Sequence, residues 1–128
     1  MPHYSRMRMI VIDAPADSHD QELSFWQAAL GVTLRREEEH PEYHGAVLPH
    51  QQQHALLVQR LGAGTARVHL DIHTDDVDAE VARLTGLGAE PLERMQDWCV
   101  MRDPAGLLFC VVPAPAGSLD GANAQRWD

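Results

Sequence analysis

The chemistry available to this chain is concentrated between Arg67 and His73. In that segment Arg67, His69, Asp71 and His73 fall on one side of an extended run, and Val68, Leu70 and Ile72 fall on the other. An imidazole can hold a metal or exchange a proton near neutral pH, and a neighbouring carboxylate can position it or take part in the transfer. A lone histidine on a strand is more often structural than a ligand. The strand face that carries His69 is polar throughout. Farther on, Cys99 and Cys110 flank the sequence Asp103-Pro104-Ala105-Gly106. With Pro104 and Ala105 as the turn residues, Asp103 pairs with Gly106 and Cys99 falls opposite Cys110 on one face. Two cysteines are too few for a disulfide framework and lack metal-motif spacing, so two reduced thiols packed as small apolar groups are expected.

The elements that must position these groups follow from periodicity. Met7–Ile12 is an apolar run of strand length closed by Asp13-Ala14-Pro15. From Ser18, Leu23, Trp26 and Leu30 recur at helical spacing; Ser18 with Gln21 forms a capping box, and Gly31 stands where a left-handed cap belongs. Val32–Arg36 continues as a strand ending in the solvated Glu37-Glu38-Glu39 run. His44–Leu48 and His54–Arg60 flank a polar connector at residues 49–53. The second half repeats this order. After the strand at Arg67–His73, Thr74 or Asp75 caps a helix aligning Val77, Val81 and Leu84, Gly88 ends it, and Trp98–Arg102 and Leu107–Val112 form a hairpin. The expectation is two tandem βαβββ modules, at about residues 7–60 and 66–113, in one α+β domain over 1–113. The tail at 114–128 has loop composition and one stranded aromatic, Trp127; it is expected to dock, a second subunit being one candidate.

Bulk properties narrow the partners. The chain has 128 residues, 45% hydrophobic content and a formal net charge of −9, which suits one domain with a real core and opposes phosphate backbones and anionic membranes. No apolar stretch approaches the roughly 20 residues of a membrane span. The expectation is a cytoplasmic protein with no nucleic acid and no membrane as partner.

The tandem order, the histidine in Val68-His69-Leu70-Asp71 and the Asp-Pro-x-Gly turn before the last strand resemble the vicinal oxygen chelate superfamily, which includes glyoxalase I, bleomycin-resistance proteins and extradiol dioxygenases. The phrases VIDAPADS, LSFWQAALG, RVHLDI and MRDPAGLLFCVV look like its divergent glyoxalase-like domains. The resemblance covers about residues 7–113 and implies a curved mixed sheet around a cavity, a homodimer, and lyase, isomerase or dioxygenase chemistry on a compound with adjacent oxygens. Non-catalytic binding of a drug or metabolite, as in bleomycin-resistance proteins, is the alternative it implies.

The family's divalent metal is held from the first, fourth, fifth and eighth strands, normally by His and Glu. His69 matches the fifth-strand position, Gln59 the fourth and Cys110 the eighth, and the first lies among Ile10, Val11 and Ile12. A hard ion wants carboxylate oxygen, whereas this set offers an amide, an imidazole and a thiol. The expectation is no resident metal, with zinc or another transition ion as the alternative. His69, Asp71, His73 and Arg67 would form the polar corner of a pocket otherwise lined by Met101, Leu57, Leu108 and Cys99, with Ile10 or Ile12.

Overall fold

The computed structural model describes residues 2–51 and 53–128. The elements in chain order are β1 (His3–Pro15), α1 (His19–Leu30), β2 (Arg35–Arg36), β3 (Tyr43–Val47), β4 (Ala55–Leu61), β5 (Arg67–Thr74), α2 (Val77–Gly86), β6 (Glu90–Arg94), β7 (Cys99–Arg102), β8 (Leu108–Pro113) and β9 (Gln125–Trp127). The architecture is α+β, a mixed sheet with two helices. Among the described residues no helix is long and apolar enough to cross a membrane.

The chain divides into two compact units, one over Met9–His69 and one made of the chain up to Arg8 with Leu70–Asp128. In the first, the strand order is β2-β3-β4-β1: β4 runs parallel to β1, and the other neighbours are antiparallel. Alternation sends Ile12, Ala14, Leu56 and Val58 to one side, where with Leu34 they pack against Leu23 and Trp26. That is the stripe the helical spacing of α1 requires. Val11, Asp13, Leu57 and Gln59 take the opposite side, with Val11 beside Leu57 and Asp13 beside Gln59.

The second unit has the same topology, with order β5-β8-β7-β6 and β8 parallel to β5. Its core is Cys99, Met101, Phe109 and Val111, packed under Val77, Val81 and Leu84 of α2. The tail adds a strand absent from the sequence reading: β9 pairs antiparallel with β1, His3 against Trp127 and Ser5 against Gln125. The tail thus docks on its own chain. It also explains why β1 starts at His3 rather than Met7, since the extra residues find a ladder partner.

Three local expectations are corrected. Ser18 precedes α1 but makes no side-chain cap, because its backbone (φ −114°, ψ 2°) is not extended as a capping residue requires. Asp76, not Thr74 or Asp75, caps α2: its carboxylate accepts from Ala79 N at 3.0 Å. Thr74 is engaged elsewhere, its hydroxyl donating to the Tyr4 carbonyl at 2.8 Å. The β7–β8 connection is one residue longer than a two-residue turn. Gly106 at φ +98° lets Leu107 bulge, Asp103 N donates to Leu107 O at 2.8 Å, and pairing resumes at Arg102 with Leu108. Cys99 therefore sits opposite Val111, and Cys110 opposite Val100. Gly31 does adopt the expected left-handed conformation, at φ +68°.

Candidate functional site

In the Met9–His69 unit, β1 delivers Asp13 to the side of its ladder that also carries Val11. The Asp13 side chain is fully buried, and its Oδ2 accepts from Arg67 Nε at 2.9 Å and lies 2.8 Å from His69 Nδ1. Burial alone raises the carboxyl pKa; the hydrogen bonds from His69 and Arg67, with their charges, more than reverse that and hold it below its usual value. An ionised carboxylate can only accept, so His69 Nδ1 is the donor, and whenever the ring is neutral its lone pair is on Nε2. The Oδ1 atom of Asp13 is buried and has no hydrogen-bond partner among the described residues. Arg67 is half exposed, and its positive charge stands beside the imidazole without being sealed in.

Asp13 escaped the sequence reading, which treated it as the residue closing a strand. Alternation with Val11 was the available signal, together with the lack of an acidic partner for Arg67 and His69 on their own strand other than Asp71. Gln59 stands directly across the ladder from Asp13, and Leu57 from Val11, so both lie on the face of the Asp13 side chain. Ile10 and Ile12 do not: they pack with the core under α1.

In the other unit, Asp71 is in register with Cys110, and a carboxylate oxygen of one lies within 4.8 Å of the sulfur of the other. His73 follows on the same side of β5, where burial pushes its pKa down to about 4 despite the opposing charge of Asp71, with Arg6 and Arg8 acting in the same direction as burial. Leu108 shares the Cys110 side of β8 by alternation. Cys99 and Met101 do not share it, because the longer turn places them on the α2 side of β7, within the core. Both cysteines are free thiols, and burial pushes the Cys99 thiol up.

In the Met9–His69 unit Gln59 offers an amide oxygen directly across from the Asp13 carboxylate, and in the other unit Cys110 offers a thiol beside the Asp71 carboxylate. Within their own unit Asp71 and Cys110 bring a carboxylate and a thiol together, donors suited to zinc-class ions.

Two βαβββ units of identical strand order, with a histidine on β5 and an Asp-Pro-x-Gly turn into β8, define a vicinal oxygen chelate protein. Residues 9–112 match the model of the glyoxalase-like domain, and the chain belongs to that family. No curated protein sequence matches it. Among solved structures it is similar to methylmalonyl-CoA epimerase from Mycobacterium tuberculosis, at 16% identity and a TM-score of 0.56 over 85% of this chain and 88% of that one. A hypothetical protein from Bacillus halodurans superposes with a TM-score of 0.60 at 12% identity, over 91% and 99% of the two chains. A mutant 4-hydroxymandelate synthase from Streptomyces coelicolor gives 0.57 at 11% identity, over 94% of this chain and 52% of its own.

Proposed function

We propose that this glyoxalase-like chain acts on a small carbonyl compound with adjacent oxygens, and that His69 is its proton-transfer group. The observation that carries this reading is the buried Asp13 carboxylate holding His69 through Nδ1. A fixed tautomer with its lone pair on Nε2 is the form a general base needs. In the step, a carbon-bound proton beside a carbonyl passes to Nε2, the electron pair of that C–H bond forms the enolate, and the proton returns to the neighbouring position. Asp13 stabilises the imidazolium that forms, and Arg67 places positive charge beside the developing oxyanion. This is isomerase or lyase chemistry. The step uses no metal, in keeping with Gln59 and Cys110 at the ligand positions; a zinc-class ion is the alternative cofactor. The same reading takes the chain as a cytoplasmic homodimer, which light scattering checks.

The test is solvent exchange. A panel of α-hydroxy and α-keto carbonyl compounds is incubated with the protein in deuterated buffer and followed by proton NMR. Exchange at the carbon-bound position is expected with the native protein. His69→Ala should slow it by roughly 10²- to 10⁴-fold, the range of a lost acid–base group. No exchange with any compound, with saturable binding retained, would move the chain to a second reading: a binder that sequesters its ligand without turnover. The replacement of the family's carboxylates by Gln59 and Cys110 favours that reading.

A further inference from the structure

The unit containing α2 carries a cavity that the proton-transfer reading does not use. It measures about 400 Å³ and lies on the α2 side of the strands, the side of Leu70 and Ile72 rather than that of Asp71, His73 and Cys110. Met7, Leu70, Ile72, Leu107, Phe109 and Trp127 supply its apolar lining. We propose that this cavity is a second binding site, for a neutral, apolar small molecule, with the C-terminal strand as one of its walls.

The wall is built. Trp127 Nε1 donates to Ser5 Oγ at 2.9 Å, and the Arg83 guanidinium stacks over the indole at 3.7 Å from its centroid. Arg83 is held in turn by Glu80, through Nε at 2.7 Å and Nη2 at 3.0 Å. Glu80 is fully buried and also lies 2.8 Å from His3 Nε2. An aromatic clamped at both its ring and its N–H keeps one orientation and gives a ligand a preformed surface at little ordering cost.

The ligand class follows from charge and size. Glu80 and Arg83, the ionic groups at the clamp, are paired with each other, so neither offers an uncompensated charge to an ion. Ser5, Arg6, Asp103 and Gln125 also border it: Ser5 is taken up by the Trp127 indole and the Asp103 carboxylate by the amides of Ala105 and Leu107, and the rest of the lining is aliphatic or aromatic. A volume of about 400 Å³ falls in the range of small-molecule sites, which are largely apolar with few polar groups.

The test uses N-phenyl-1-naphthylamine, a neutral apolar fluorophore, titrated against the full chain. Saturable one-to-one binding with enhanced emission is expected. Met7 and Leu107 are exposed at the rim, 38% and 49%, so Met7→Trp and Leu107→Trp fill the cavity without touching the core. Each should weaken binding by at least about tenfold, by occupying the volume, with circular dichroism unchanged. Trp127→Ala should weaken it as well. His69→Ala should leave it unchanged, which separates this site from the proposed proton-transfer site. No saturable binding, as when a second copy covers the cavity, would overturn the proposal. So would native affinity in both filling variants, or loss of binding in His69→Ala.

Discussion

His69 Nδ1 lies 2.8 Å from Asp13 Oδ2, and Asp13 is fully buried. The contact joins two residues 56 positions apart and fixes the ring of the histidine. Asp13→Asn keeps the shape but removes the ionised acceptor. It should lower unfolding stability by about 1.5–3 kcal/mol, the range for hydrogen bonds to charged groups, read from denaturant midpoints. The native state holds the Asp13 pKa below the unfolded value. The contribution is therefore present above the ordinary carboxylate range and disappears as pH falls through the lowered native value. In the Asn variant that part of the acid limb should be missing.

His73 should titrate far from the usual imidazole value. Burial pushes it to about 4 from 6.5, so the native ring stays neutral where an unfolded one takes a proton. Stability should then fall as pH drops through 6.5 towards 4, and His73→Gln should flatten that slope. A ring-proton NMR titration reads the native midpoint directly; an ordinary value would defeat the expectation.

Glu80→Gln should unfold at a lower denaturant concentration by roughly 2–3 kcal/mol, since hydrogen bonds to a charged group are weakened on both the Arg83 and His3 sides. Glu80 is held below its usual pKa: burial raises it, and bonds from Arg83, Ser5 and His3 outweigh that. Arg83 should lose its register over Trp127, shifting the indole emission.

Gly106→Ala isolates backbone strain from crowding. Gly106 has φ +98°, and a Cβ there would meet nothing within 4 Å. The cost should therefore be conformational alone, about 1–2 kcal/mol, measured by thermal unfolding against the native chain.

Metal analysis of protein purified without chelators should find no stoichiometric divalent ion. One retained equivalent of zinc that disappears in Cys110→Ser would instead assign an ion to the Asp71–Cys110 neighbourhood. Thiol counting in denaturant should give two free groups, Cys99 and Cys110.

The elements whose own periodicity marks them, α1, α2 and the alternating β5, were legible in the sequence because each buries one face locally. The capping residues were misread by one or two positions, since Thr74, Asp75 and Asp76 all have capping side chains and only the hydrogen bond to Ala79 distinguishes them. The register of Cys99 turned on one bulged residue, Leu107, which composition does not reveal. Asp13 was missed because both its partners, Arg67 and His69, are distant in sequence, and Glu80 was missed although only His3 and Ser5 among its partners are distant. Glu80 nonetheless sits three residues after Val77 and four before Leu84, on the stripe that faces the core. A carboxylate there needed a cation, and Arg83 one turn on was the visible candidate. The strand β9 could not be read at all: three residues with loop-like neighbours become a strand only because His3–Ser5 is there to pair with them.

That pairing also sets an order of events during synthesis. The Met9–His69 unit is one unbroken segment, complete once its last residue has emerged. The other unit is discontinuous: Ser5 must wait for Trp127, 122 residues later, before its hydroxyl receives the indole N–H. The beginning of β1 thus stays without its edge partner until Trp127 has emerged, so a chain released before Trp127 would expose a strand edge open to pairing with other chains.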